Sequence, residues 1–230
     1  CAGRDCVVVD GGNRRHQKRG GSVAEEAGAG DRQLTGISAV VLAAGQGSRF
    51  RAEAGADQDK LLALCVGRDG ITRSVIEQVL VNLPLGVEKR WLVTSPDRTE
   101  VIRLAQVYGC EVLLLRSAGM GESIAAAVAA SGSSDGWLVV LGDMPFVLSS
   151  SIEQVVAGLA QDGISVPVHA GQYGHPVGFG RSFGPALMAL TGDRGAKPLF
   201  AQASVLEMAV DDPGVLWDVD VPQSLNFKPT

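Results

Sequence analysis

Aromatic side chains make up only 5% of this chain, and it holds 3 histidines and 4 cysteines. Each scarcity excludes something. Cys1, Cys6, Cys65 and Cys110 are scattered, with neither a C-x-x-C pair nor a dense framework. That spacing excludes a structural zinc site and a disulfide scaffold, and it fits a reducing cytoplasm. His16, His169 and His175 show no metal-ligand spacing. No apolar run approaches the ~18 residues of a membrane span, and the first residues carry no signal-peptide core, so a soluble, unexported protein is expected. A basic excess is missing too. The net charge of −5 and pI near 5.2 argue against a nucleic-acid binder. What is present, 230 residues at 46% hydrophobic and 20% charged, suffices to bury the core of one sizeable α/β domain.

Residues 1–36 stand apart from the rest. They are rich in glycine and charge, with only the run Val7 to Val9 as an apolar element, and they open without a methionine. A disordered or non-native extension is expected there, followed by a single domain over 37–230. From Ile37 onward short apolar runs alternate with helical patterns, the signature of βαβ units around a parallel sheet. Strands are expected at Ser38 to Ala43, Arg90 to Thr94, Val112 to Leu115 and Trp137 to Leu141, with helices near Thr72 to Asn82, Arg98 to Tyr108 and Glu122 to Ala130. Ser149 to Ser151 reads as the N-cap of a helix from Ile152 to Ala160. Ile164 to His169 and His175 to Phe179 read as a hairpin-like insertion. Short helices near Phe183 to Leu190 and Ala196 to Ala203 lead to strands at Val205 to Val210 and Leu216 to Val221.

The segment Leu42 to Phe50, LAAGQGSRF, ends the first apolar strand in a glycine-rich turn backed by a cation. Such a turn can aim several backbone N–H groups at one anion. It is not a P-loop, because Ser48 and Arg49 follow Gly47 where lysine and a hydroxyl residue belong. Nor is it a dinucleotide fingerprint, because Phe50 occupies the third glycine position. Arg49 and, a loop later, Lys60 in Asp59-Lys60-Leu61-Leu62 supply two cations suited to a triphosphate, or else sit in solvent around an ordinary turn. Asp143 directly follows a central strand, where it can hold a divalent metal at the ligand-binding edge of the sheet or cap its own turn. Asp218 and Asp220 share one face of the expected last strand, a repulsive arrangement unless a cation or solvent offsets it. Gly119 to Ser123 opens the alanine-rich helix with free amides. His175-Pro176 is unusual in a strand. Asp193, Arg194 and Lys197 lie in a glycine-bounded loop that opens a helix.

The ordered motifs LAAGQGSRF, DKLL, LGDMP (Leu141 to Pro145), GHPVGF (Gly174 to Phe179), GDRGAKPL (Gly192 to Leu199) and DVDVP (Asp218 to Pro222) resemble those of the MobA-like nucleotidyltransferases. Within that family the chain looks most like the molybdenum cofactor cytidylyltransferases. The resemblance implies a Rossmann-like, doubly wound, mostly parallel sheet of the nucleotide-diphospho-sugar transferase type. It implies nucleotide contacts at Leu42, Ala43, Ala44, Gly45, Gly47, Ser48, Arg49, Lys60, Gly121 and Ser123, with Arg49, Lys60 and Asp143 as the catalytic set. Mg2+ would be held by Asp143 and Asp220, with Asp218 in support. The acceptor, a molybdopterin, would be met by His175, Pro176, Asp193 and Lys197. CTP is the implied donor, since Ala43-Ala44 stands where guanylyl relatives commonly carry Ala-Gly-Gly. A transient contact with a molybdenum hydroxylase or its chaperone is implied in turn. The chain departs from the family pattern at Val221, usually threonine, and in the longer loop Arg51 to Gln58. A reductase of quinone-like dyes using NAD(P)H and a non-catalytic cofactor-binding chaperone are the rival readings. The missing third glycine counts against the first, and the carboxylates Asp143 and Asp220 against the second.

Overall fold

The computed structural model describes residues 7–9, 34, 36–116 and 119–229. The strands are β1 (Val7–Val9), β2 (Ile37–Leu42), β3 (Leu64–Val66), β4 (Thr72–Ser74), β5 (Lys89–Thr94), β6 (Glu111–Leu114), β7 (Gly136–Leu141), β8 (Gly163–His169), β9 (Gln172–Tyr173), β10 (Val177–Gly180) and β11 (Ser204–Ala209). The helices are α1 (Ser48–Ala54), α2 (Val75–Asn82), α3 (Thr99–Val107), α4 (Met120–Ala130), α5 (Ser149–Ala157) and α6 (Gly184–Met188). The main sheet runs β1-β6-β5-β2-β7-β10-β8-β11, with β9 paired to β8, and β3 and β4 form a separate hairpin.

Alternation along each central strand splits the core into two layers. Ile37, Ala39 and Val41 of β2, with Leu138 and Val140 of β7, face α2, α3 and α5. Val40, with Trp137 and Val139, faces α4 and α6 on the other side. Strands buried on both faces need helices on both, as the near-continuous apolar runs require. The strands β6, β5, β2 and β7 are mutually parallel. From β2 the chain moves outward to β5 and β6, then returns to β7 on the other flank of β2, so the strand order reverses between β2 and β7. Open α/β sheets bind ligands at such a point.

Several expectations need correction. The expected helix from Thr72 starts at Val75, because Ser74 caps it with a reciprocal box to Glu77 and Thr72 to Ser74 pairs with β3. Ser149 to Ser151 is the first turn of α5 rather than its cap, and Leu148 precedes it without a side-chain cap. The glycine-rich turn does close a hairpin, with Ala170 and Gly171 both at positive φ, but its returning strand is only β9. The chain then passes the cis His175-Pro176 peptide into β10, which lies inside the main sheet, antiparallel to both β7 and β8. Leu216 to Val221 is not a strand. A 3-10 turn over Pro213–Leu216 leads into irregular chain, so Asp218 and Asp220 are placed by a loop instead of a pleat. In the first 36 residues Val7–Val9 pairs antiparallel with β6 at the sheet edge. The expected character of most of that segment falls outside the described residues.

Candidate functional site

Leu42 and Leu141 are register partners, so β2 and β7 release their following turns at the same level of the sheet. The Gly142 amide donates to the Leu42 carbonyl at 3.0 Å, and a Cβ on Gly142 would lie 2.8 Å from that oxygen. Only glycine permits this approach, which brings Asp143 beside the turn at Gly45. Gly47, at φ 61, begins α1 with its bare Cα against the stem of Lys60. No backbone N–H from Ala44 to Arg49 has a partner among the described residues. These amides are available to an anion.

Four charged side chains converge here from distant positions. The Lys60 ammonium, 9% exposed, donates to Asp143 Oδ2 at 2.5 Å and to Asp220 Oδ1 at 3.1 Å. Arg49 Nη1 donates to Asp220 Oδ2 at 2.9 Å. Burial alone would lower the Lys60 pKa, but Asp143 and then Asp220 outweigh it and hold the ammonium above its ordinary 10.5. Burial would raise Asp220, yet hydrogen bonds and charge from Lys60, then Arg49, hold it below the usual carboxylate range. Asp218 receives no side-chain donor among the described residues. Burial, then the charges of Asp220 and Asp143, push it up. The segment carrying both aspartates is stitched to its neighbour by Val219 N–H donating to the Asp143 carbonyl at 2.8 Å.

These residues border a cavity of about 600 Å3. Leu42, Ala43, Ala44, Gly45, Lys60, Ser123, Asp143, Asp193 and Asp220 all line it, together with Gln46, Gly119, Met120 and Asp218. Arg49 reaches the same cluster from the exposed side, and Ser48 is exposed at the start of α1. A larger groove of about 770 Å3 lies elsewhere, between Leu80, Leu83, Leu85 and Val156. It is bordered by Arg90 and Glu153 without any convergent set of donors, so the smaller cavity is the candidate site.

Other expected contacts are not on the cavity wall. The Gly121 amide donates to the Gly192 carbonyl at 2.8 Å, and a Cβ on Gly119 or Gly121 would collide with the backbone of Gly192. Both glycines therefore allow close packing of the Thr191 to Gly195 loop, and the Gly121 amide turns to Gly192 rather than to the cavity. His175 and Pro176 border a small separate void beside Val79, Met144 and Ile152. Burial lowers the His175 pKa, partly offset by the charge of Asp143, and its Nδ1 has no partner among the described residues. Lys197 is exposed and off the cavity, whereas Asp193 faces it.

Two residues that matter carried little signal in the sequence. Arg98, only 6% exposed, donates through Nη2 to the Gly45 carbonyl and through Nη1 to Asp59 at 3.4 Å. Asp59 in turn accepts from Leu61 N–H at 3.0 Å. In the sequence Arg98 is one polar residue at a helix start. Asp212, 1% exposed, accepts from Leu148 N–H at 2.9 Å, Ser151 Oγ at 2.8 Å, Gly214 N–H at 3.0 Å and Arg68 Nη1. The dipeptide Asp212-Pro213 is a helix-start signal, which accounts for the bond to Gly214 N–H but not for the other three partners.

A profile of the MobA-like NTP transferase domain matches residues 39–207. The chain belongs to that family. Its chemistry is accordingly nucleotidyl transfer. Rv0371c from Mycobacterium tuberculosis H37Rv is similar to this MobA-like transferase at 27% identity and TM-score 0.68, over 83% of this chain and 96% of that one. The same protein solved with manganese is similar at 26% identity and TM-score 0.64, over 83% and 96%. A nucleotidyl transferase from Methanothermobacter, at 24% identity and TM-score 0.68 over 82% and 94%, shares the fold. No curated protein sequence matches. No described helix of this MobA-like transferase is long and apolar enough to cross a membrane. Among its described residues no group of three or more His, Cys, Asp or Glu side chains could hold a metal ion.

Proposed function

We propose that this MobA-like transferase moves CMP from CTP to a molybdopterin, releasing pyrophosphate, with Mg2+ as the metal. One observation carries the reading: unpartnered amides, two cations and two carboxylates from four parts of the chain meet in one cavity at the point where strand order reverses. The residues fit a magnesium ion in a particular way. Mg2+ is commonly held by one or two carboxylates, with phosphates and water completing its shell. Asp143 and Asp220 supply two such groups around one ammonium, and a bound triphosphate would supply the rest. Held there, the ion would neutralise charge at the α-phosphate and the attacking oxygen.

The chain's own residues do the remainder. Amides of the Ala44 to Arg49 turn, with Arg49 and Lys60, bind and orient the triphosphate. Lys60 exchanges carboxylate oxygens for phosphate oxygens as it does so. An acceptor phosphate oxygen forms the new bond to the α-phosphorus, the bridge to the β-phosphate breaks, and pyrophosphate leaves with that electron pair. Positioning and charge neutralisation suffice, without a protein nucleophile. Ala43 and Ala44 border the cavity where the base preference for cytosine would be expressed, and Asp193 faces the acceptor side. Transfer of the product to a molybdenum hydroxylase or its chaperone, in the cytoplasm, completes the proposal. Pyrophosphate release with each of the four triphosphates, with and without molybdopterin, tests it. Turnover that needs CTP and molybdopterin is expected, whereas a preference for GTP or an absence of turnover overturns the assignment.

A further inference from the structure

We infer that Arg98 is the positioning residue that sets the phosphate-binding turn, by clamping it to the loop that carries Lys60. The inference rests on the triphosphate reading above. The Arg98 guanidinium is almost fully withdrawn from solvent at the start of α3, where it spans two segments that share no other hydrogen bond or ion pair among the described residues. One arm receives the Gly45 carbonyl. The other meets Asp59, whose carboxylate also accepts from Leu61 N–H and whose carbonyl accepts from Leu62 and Ala63 N–H at 3.0 and 3.1 Å. Lys60 is therefore pinned between residues that Arg98 helps to hold.

The peptide joining Gly45 to Gln46 is trans, since the one cis bond among the described residues is His175-Pro176. In a planar trans peptide the C=O and N–H point in opposite directions. Drawing the Gly45 carbonyl onto Arg98 therefore turns the Gln46 N–H away from Arg98, and Gln46 borders the cavity. Without the clamp that peptide is free to rotate, and a carbonyl oxygen facing a phosphate would repel it. A guanidinium suits the task because its planar fork serves two acceptors at fixed geometry, which an ammonium does not. Its positive charge, paired with Asp59 at 3.4 Å rather than at closest contact, also lies behind the turn where an anion would sit.

The test is Arg98→Gln, with Arg98→Lys and Asp59→Asn beside it. Binding of magnesium tripolyphosphate is measured by calorimetry, and KM and kcat for CTP by pyrophosphate release. For Arg98→Gln a loss of roughly tenfold or more in tripolyphosphate affinity is expected, the size of one charge-assisted hydrogen bond. KM for CTP rises in parallel while kcat stays within about threefold. Arg98→Lys recovers part of the loss, and Asp59→Asn moves the same way by less. Unchanged tripolyphosphate affinity overturns the inference, and so does a fall in kcat and melting temperature with no rise in KM. If Arg98→Gln does not fold, Asp59→Asn decides by the same criteria. Failure of the wild-type protein to bind either tripolyphosphate or CTP refutes the triphosphate reading itself, a separate outcome.

Discussion

Replacing Lys60 with methionine keeps most of its stem and removes the one charge that two carboxylates share. At ~3 Å and an effective dielectric near 20, each attraction is worth about 5 kcal/mol before desolvation. The ammonium is 9% exposed, so much of that gain offsets its own dehydration. Asp143 and Asp220 are 22% and 35% exposed, so water can resolvate them once the cation is gone, and Asp220 keeps Arg49. The expected net cost is about 2 kcal/mol, below the 3–5 typical of a fully buried pair that loses one member. In a domain of this size that lowers the melting temperature by roughly 4–8 °C. The informative readout is metal. In the wild-type protein a divalent ion must displace Lys60, whereas in Lys60→Met it meets Asp143 unpaired and Asp220 held by the exposed Arg49 alone. Mn2+ at a hundredfold excess over its Kd then restores about 2.7 kcal/mol. Differential scanning fluorimetry with and without Mn2+, in the absence of nucleotide, measures both effects. If Mn2+ stabilises the wild-type protein as much as the variant, Lys60 does not occupy the place of the ion, and the reasoning fails.

Asp143→Asn keeps the shape of the side chain and removes its charge, so a loss on the order of 3 kcal/mol of transition-state stabilisation is expected, read as about a hundredfold drop in pyrophosphate release. Undiminished turnover would refute its role. Asp212→Ala strands the Leu148 and Gly214 amides and the Arg68 guanidinium, and should cost about 3–4 kcal/mol in denaturant titration with catalytic geometry otherwise intact. His175 has a folded pKa depressed below 6.5, so the unfolded chain takes up a proton first as pH falls. Its contribution to stability is complete above pH 6.5 and is lost as pH drops toward the folded value. The limiting slope is about 1.4 kcal/mol per pH unit. Thermal melts between pH 7.5 and 5 should show this slope, and His175→Gln should flatten it.

The parts of the fold set by local chemistry were legible without coordinates. Double-sided apolar runs located the central strands to within a residue or so at each end, and the break at Gly45 to Gly47 located one wall of the candidate cavity. Asp143 was readable because a carboxylate straight after a buried strand has few other places to go. What escaped depended on contacts between remote segments. The hairpin reading anticipated that β10 runs antiparallel to β8, but nothing local to Val177 says that it will also pair with β7 inside the main sheet. The period-2 spacing of Asp218 and Asp220 looks like a strand, but the tie from Val219 to Asp143 and the turn at Pro213 determine that loop. Gly119 and Gly121 looked like amides offered to a ligand because the approach of Gly192 is a tertiary event. Arg98 was silent for the same reason, since both its acceptors are supplied by other loops.

Arg49 and Asp220 are separated by 171 positions, and Lys60 and Asp220 by 160. A nascent or partly unfolded chain that retains the β2 turn but has lost the loop at 218–220 leaves Arg49 with no acid to meet it and Lys60 with Asp143 alone. On the proposed reading such a chain can attract phosphate yet lacks the carboxylate that completes the metal site. A measurement of metal-dependent turnover would then also be a measurement of how much of the protein is folded from one side of the sheet to the other.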